Sequence, residues 1–401
     1  MYNKLAKNKN MVLMVLILVF ALVIRIIFFS GIDSSDSLFY TKFANELSQN
    51  TINFNENNAA LRIGILYPVS LLYNIFGINE ISSNILILLS SLASIILIYN
   101  FGKLLFNEKV GLLSAFLLGF FPLDVVYSTR LLTDVPSVFF VALGVYFFLK
   151  SEKINNEKSS YLYCFLAGIY IGIAYLIKEL SLLIGLFFLV YAIYNKRMKS
   201  RYFLIALGFL IIFSIELLYF LSNTGNPLFR FSVGQSMWAS SYTKSNFYGR
   251  TGIAGLFHYP YIIFTDYMLS VFYIFIFIAV FYCIKNRKKD SYNLLFWLVP
   301  LLAYMSFGSA SLTRYIPIPA ASRFLLITSF PGILLLSYFL SGKEPLIRKI
   351  LMPSIIAVLF FTSMGYLFIS EQRNVIGNER AAYQYIKTLP QKQIYTDDRT
   401  A

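Results

Sequence analysis

Two carboxylates, Asp33 and Asp36, open the stretch DSSDSLFYTKFANEL at residues 33–47, directly after a long apolar run. Desolvating a carboxylate at a membrane edge is costly, so acids placed there mark a polar pathway or a reaction site. Other unusual polar residues also lie between or at the ends of apolar runs: Arg62, Asp124, Arg130, Asp134, Lys178 beside Glu179, Arg230, His258, Asp266, Arg314 and Arg323. A neighbouring lysine and glutamate at the end of an apolar run are a functional candidate in their own right. His258, with Asp36 and Asp134, supplies a ligand set for a divalent metal. In an aromatic setting such as FHYPY, a lone histidine is more often a hydrogen-bonded packing residue.

What positions these residues is a bilayer. Of 401 residues, 58% are hydrophobic and 13% charged, and the mean hydropathy is +0.67, which is outside the range of soluble domains. A spanning helix needs roughly 20 apolar residues. The chain offers eleven such runs, some of them shorter or broken by polar residues, centred on residues 11–30, 81–101, 110–127, 134–150, 161–178, 180–194, 203–221, 266–284, 292–309, 323–340 and 350–369. The first, interrupted by Arg25 and followed by no small-residue cleavage site, reads as a span rather than a cleaved signal. The spacing therefore predicts an all-α integral membrane bundle of about eleven helices over residues 1–370. A short tail follows at 371–401, with a helix in ERAAYQYIKTL and a strand-like QIYTDD.

Charge sets the expected orientation. The N-terminus and the loops near residues 103–109, 150–158, 196–201, 285–290 and 343–349 hold 19 Lys and Arg against five acids, while the alternate gaps are nearly balanced. Basic loops stay in the cytoplasm, so the N-terminus is expected inside and the tail outside. The protein is then multi-pass in a plasma membrane, or in the ER membrane of a eukaryote. The same reading accounts for the net charge of +15 without nucleic acid, because the excess is spread over short cytoplasmic loops. Cys164 and Cys283 fall inside expected helices with no metal-type spacing, as free apolar-facing thiols.

The outer loops 31–80 and 222–265 are long, and long irregular loops are commonly functional. Leu38, Phe39, Phe43 and Leu47 share one helical stripe, which predicts a helix lying flat with that face in lipid. GILYPVSLLYNIFG at 64–77 has a similar pattern. Trp238, Tyr242, Phe247 and Tyr248 offer either interfacial anchors or a wall on which a sugar stacks.

Several of these segments, in this order, resemble the GT-C class of glycosyltransferases. The likeness is greatest to the dolichyl-phosphate-mannose protein mannosyltransferase-like group, which includes the aminoarabinose transferases of lipid A. It covers residues 10–340 and rests on Asp36 with Tyr40 and Ala44–Glu46–Leu47; Arg62-x-Gly64 leading to Phe76–Gly77; YSTRLLTDVPSVFF at 127–140; LAGIYIGIAYLIKELSLL at 166–183; TGNPLFRF at 224–231; and PIPAASRFLLITSFPGILLL at 317–336. The resemblance implies transfer of a sugar from a polyprenyl-phosphate carrier to a glycan, lipid or protein acceptor on the non-cytoplasmic face. It also implies that Asp36 is the general base, since a carboxylate must take the proton of the attacking hydroxyl. The family often has an acid directly after this Asp, where this chain has Ser37, and Asp33 is the substitute. Arg62, Lys178 and Arg323 become the candidates for the donor phosphate.

Each assignment has a structural competitor. Asp36 and Asp134 both suit helix capping. Arg62 suits a snorkelling interface anchor. Two other classes compete with the enzyme as a whole: a flippase for lipid-linked sugars, which would carry charges along a mid-membrane path, and an O-antigen-type polymerase or ligase, which lacks the Asp motif after its first helix.

Overall fold

In the computed structural model, residues 2–32, 35–196, 198–234, 257–309, 315, 318, 321–342 and 347–372 are described here. Their regular elements are helices. In chain order they are α1 (Tyr2–Ile27), α2 (Ser35–Ser48), α3 (Ile63–Phe76), α4 (Glu80–Leu105), α5 (Glu108–Gly119), α6 (Pro122–Tyr127), α7 (Asp134–Lys153) and α8 (Glu157–Ile177). They continue with α9 (Gly185–Asn195), α10 (Phe203–Thr224), α11 (His258–Thr265), α12 (Ser270–Asn286), α13 (Lys289–Phe307), α14 (Leu326–Leu340) and α15 (Met352–Gln372).

Every expected apolar run falls largely on helix, but the count of eleven spans is not confirmed. Among the described residues seven helical stretches are long and apolar enough to cross a membrane, and shorter apolar helices lie at 63–76, 179–195 and 271–286. The run at 110–127 is split into α5 and α6 because the helix stops at Phe120–Phe121 and restarts on Pro122. Proline has no N–H and a fixed φ, so it starts a helix well and continues one badly. Short polar residues begin the helices that follow turns. Asn79 forms a reciprocal capping box with Ser82 at α4, and Asn107 and Asn156 cap α5 and α8.

The charged loops sort to two ends. At one end Asn10 and Lys103 both bond Glu108, Lys153 meets Asp290 at 3.0 Å, and Glu152 binds Lys199 at 2.6 Å and also Arg201. Lys288 lies 5.2 Å from the Phe106 ring and 5.0 Å from Tyr338. These are the loops that the charge count assigns to one side. The opposite end gathers Asp36, Arg62, Asp134, Lys178, Arg230, Asp266 and Arg323.

One ion pair holds the start of the chain in the bundle. Arg25 on α1 is fully buried and binds Asp124 at 2.6 Å, Ser91 at 2.9 Å and the Gly119 carbonyl at 2.9 Å. It thereby satisfies a carbonyl freed by the break between α5 and α6. The segment after α1 is tied to the loop after α6, where Gly31 N–H donates to the Thr129 carbonyl at 3.0 Å and Ser30 N–H donates to the Thr129 hydroxyl at 3.2 Å. α2 does not lie with its apolar face in lipid: Tyr40, Phe43 and Ala44 are buried against protein, while Leu38 is exposed. α3 presents the outward stripe instead, with Tyr67, Leu71, Ile75 and Phe76 exposed and Ile65, Leu66, Val69 and Tyr73 buried.

Candidate active site at the interfacial helices

α2 carries Asp36 and Tyr40 one turn apart on one face. Asp36 is the second residue of the helix, not its N-cap. A carboxylate in a first turn is still favoured there by the helix dipole. Its Oδ2 accepts from Arg323 Nη2 at 2.6 Å. Arg323 sits in the 3-10 turn Ser322–Leu325 that leads into α14, and the preceding Ser322 hydroxyl donates to Asp266, at the junction of α11 and α12.

Arg62 stands at the joint between the 3-10 turn Asn58–Leu61 and α3. Its position depends on Gly64. A Cβ there would lie 2.7 Å from the backbone of Leu176 and Ile177, so only glycine lets α3 rest directly on the end of α8. That contact sets Arg62 beside Glu179. Arg62 Nε donates to Glu179 Oε2 at 3.3 Å, and its Nη1 donates to the phenol oxygen of Tyr40. Burial raises the Tyr40 phenol above its ordinary value against the pull of Arg62, so it keeps its proton at neutral pH.

α8 ends at Ile177 and the 3-10 turn Glu179–Ile184 begins almost at once. The change of helix type sends the two neighbours apart. Lys178 is buried and binds Asp134 Oδ1 at 2.5 Å, with its ammonium 4.3 Å from the Phe324 ring centre. Glu179 turns to two arginines: besides Arg62 it accepts from Arg230 Nη2 at 2.7 Å and Nε at 3.2 Å. Arg230 also binds Glu216 in α10 and lies 4.6 Å from the Tyr175 ring centre, and the Tyr175 hydroxyl donates to Glu216 at 2.8 Å. A small cavity lies beside the Lys178–Asp134 pair, lined by Asp134, Ser137, Lys178, Ser181, Arg323 and Phe324.

The structure therefore brings Asp36, Arg62, Lys178, Arg323 and Asp134 into one region, as five segments converge. It corrects several expectations. Asp134 is not a cap: the N-cap of α7 is Thr133 without a side-chain bond, and the Asp134 carboxylate is engaged by Lys178. Asp36, Asp134 and His258 do not gather, and among the described residues no group of three His, Cys, Asp or Glu is placed to hold a metal. His258 begins α11, with its ring 6.3 Å from Tyr261. Asp33, the loop with Trp238, Tyr242, Phe247 and Tyr248, Arg314 and the tail from 373 lie outside the described residues.

Sequence reasoning missed Glu179 as a hub for two arginines and Arg230 as its second partner. Signals for both were present. Glu216 is a lone acid inside an apolar run, and such a group needs a cation. Arg230 is the nearest arginine after it.

A family model described as dolichyl-phosphate-mannose-protein mannosyltransferase matches residues 63–219. That segment contains Arg62's neighbour Gly64 as well as Asp134, Lys178, Glu179 and Glu216. No curated protein sequence matches the chain. Among solved structures, ArnT from Cupriavidus metallidurans in the apo state aligns with a TM-score of 0.67 at 14% identity, over 96% of this chain and 83% of that one. The same protein bound to undecaprenyl phosphate gives 0.69 at 14% identity over the same shares. The archaeal oligosaccharyltransferase AglB from Archaeoglobus fulgidus, in complex with an inhibitory peptide and a dolichol-phosphate, gives 0.59 at 12% identity, over 91% of this chain and 56% of that one. Likeness at such identities is one of fold. The chain has the multi-spanning, all-helical GT-C fold of membrane glycosyltransferases, with the dolichyl-phosphate-mannose-protein mannosyltransferase match running from α3 through α10.

Proposed function

We propose that this protein is a membrane glycosyltransferase that moves a sugar from a polyprenyl-phosphate carrier to a glycan, lipid or protein acceptor on the non-cytoplasmic face. The observation that carries this reading is the cluster at the interfacial helices. A carboxylate in the first turn of α2 stands beside Arg323, and Arg62, Lys178 and Arg230 converge on the same region, where spanning helices end. Further support comes from relatives of the same fold that hold undecaprenyl phosphate or dolichol-phosphate.

In this reading Asp36 is the general base. The acceptor hydroxyl attacks the anomeric carbon, the bond from that carbon to the phosphate oxygen breaks, and the hydroxyl proton passes to Asp36. Negative charge grows on the leaving lipid phosphate, and Arg62, Lys178 and Arg323 offset it. Tyr40 and Glu179 hold the Arg62 guanidinium from two sides, so its fork is already oriented before a donor arrives. Arg323 is the link between the two halves of the reaction, because it touches Asp36 and also lines the cavity with Lys178. Asp134 keeps the buried Lys178 charged and aimed. By the positive-inside rule, the end with Glu108, Glu152 and Asp290 is cytoplasmic and the cluster is outside.

The flippase reading asks for a polar path through the bilayer. The charges buried within the apolar helices and their breaks, Arg25, Asp124 and Glu216, are each tied into fixed ion pairs, which suits the cross-linking of helices. The test is chemical. A deletion strain analysed by mass spectrometry should accumulate one polyprenyl-phosphate-linked sugar and lose that sugar from one surface glycan, lipid or protein. Unchanged profiles of both would overturn the assignment.

A further inference from the structure

Only three of the 22 residues of α10 are buried: Gly208, Glu216 and Phe220. An acid on so apolar a helix is costly, and mooring the helix does not require it. α8 and α10 already meet backbone to backbone at two glycines. A Cβ on Gly168 would lie 2.0 Å from the Ile205 carbonyl oxygen, and one on Gly208 would lie 2.4 Å from that of Phe165. Helices in a bilayer associate through such small-residue contacts without any charge.

What Glu216 touches instead is a row of charges. Its Oε1 accepts from Arg230 Nη1 and its Oε2 from the Tyr175 hydroxyl at 2.8 Å, so both oxygens are engaged. Arg230 is buried as well. Its Nη2 donates to Glu179 Oε1 at 2.7 Å and to the Tyr175 carbonyl at 3.2 Å, and its Nε donates to the same Glu179 oxygen at 3.2 Å. Glu179 gives its other oxygen, Oε2, to Arg62, whose Nε and Nη2 both stand 3.3 Å away. Arg62 ends the row on the phenol of Tyr40, one helical turn from Asp36. Acid and base thus alternate from within the apolar part of α10 to the candidate base.

Glu179 is held unequally, closely by Arg230 and at longer range by Arg62. Arg230 is itself divided between two carboxylates, so the charge it leaves for Glu179 depends on Glu216. With Glu216 neutral, the whole guanidinium would serve Glu179 and draw that carboxylate off Arg62. Coupling of this kind is strong where the members of a network are shielded from water. Only an arginine suits the middle of the row, because its planar fork spans two carboxylates and an ammonium is a point charge.

We propose that Glu216 is a positioning residue for the donor phosphate: acting through Arg230 and Glu179, it sets how firmly Arg62 is oriented toward that phosphate. The proposal rests on the donor reading given above and adds a residue that acts on the phosphate site from inside the bilayer. A Glu216 that only braces α10 against α8 is the competing role.

The test is a double-mutant cycle on the affinity for undecaprenyl phosphate, with purified protein in lipid nanodiscs. Glu216→Gln keeps the size and still accepts hydrogen bonds, so it removes the charge alone. It should weaken undecaprenyl phosphate about tenfold in the wild-type background and by less than about twofold beside Arg62→Ala, since coupled residues are non-additive and independent ones add. Arg230→Lys should follow the same pattern, and it decides the matter where Glu216→Gln does not fold. A bracing role would lower the unfolding temperature in both backgrounds and leave the affinity of the folded protein unchanged, or lower it equally in both. Equal loss in the two backgrounds, or none in either, overturns the relay and leaves the phosphate site standing. Wild-type affinity in Arg62→Ala also overturns it, because the row would then end on no ligand of the phosphate. A wild type that does not bind undecaprenyl phosphate removes the donor reading, and this proposal with it.

Discussion

Glu152 at the basic end accepts from Lys199, Arg201, Tyr191 and Tyr202, and its side chain is 14% exposed. Glu179 at the opposite end is divided between Arg62 and Arg230 and is 41% exposed. Both are carboxylates held by two cations, yet the first is enclosed by its donors and the second leaves part of itself to the medium. The basic end ties several loops together through ion pairs such as Lys153–Asp290 and Glu152–Lys199. The other end draws its charges from several segments, of which Asp134, Lys178 and Arg323 line a small cavity, and keeps Asp36 open beside Arg323. An ion pair that only cross-links helices can be closed over. One that, in the proposed reaction, exchanges partners with an incoming phosphate has to stay reachable.

The comparison breaks most sharply on sidedness. Arg287→Cys in the basic end should resist an impermeant thiol reagent in intact cells, and Asn55→Cys beside α2 should label fully; the native Cys164 and Cys283 are buried. Reversed labelling would put the cluster in the cytoplasm and end the donor argument. The next largest effect is expected at the base. Asp36→Asn keeps size and much of the helix-terminal hydrogen bonding, so thermal unfolding should hold while transfer falls about 10²- to 10⁴-fold. An active Asn variant would move the base to Asp33 or Asp134.

Smaller effects sharpen the contrast. Arg62→Ala should weaken the lipid-phosphate donor about ten- to hundredfold and leave acceptor affinity in place, the range for a charge-assisted contact of about 1.5–3 kcal/mol. Unchanged donor affinity would reduce Arg62 to an anchor for α3. Glu152→Gln at the basic end should do the reverse. Stability should drop by about 1–2 kcal/mol, discounted because Lys199 is more than a third exposed, and transfer per folded molecule should not change. Loss of transfer in a stable Glu152→Gln protein would mean that the two ends are coupled.

Much of the fold was legible because apolar runs of spanning length and the bias of Lys and Arg are one-dimensional signals. The break at Phe120–Phe121 was not, since hydropathy is continuous across it and only Pro122 hints at a restart. At the site, the residue types were readable and their pairings were not. Lys178 and Glu179 are adjacent, so sequence invites pairing them. The switch from α-helix to 3-10 turn rotates one toward Asp134 and the other toward Arg62, which lies 117 residues away. Gly64 was visible as part of a motif, but its reason, a backbone-to-backbone contact with the end of α8, required the third dimension.

The depth of each acid also matters while the chain is being made. Glu216, 1% exposed, is joined by a cation only 14 residues later, and Asp134, 4% exposed, by one 44 residues later. Asp36, 44% exposed, has its partner Arg323 almost at the far end of the chain. At about 5–20 residues per second, Glu216 is unaccompanied for roughly one to three seconds during synthesis. Asp36 waits through most of translation, in a place where water can keep it company. The order of the pairs along the chain thus brings Glu216 and Asp134 their counter-ions early, and leaves the exposed carboxylate of Asp36, the proposed base, to be paired last.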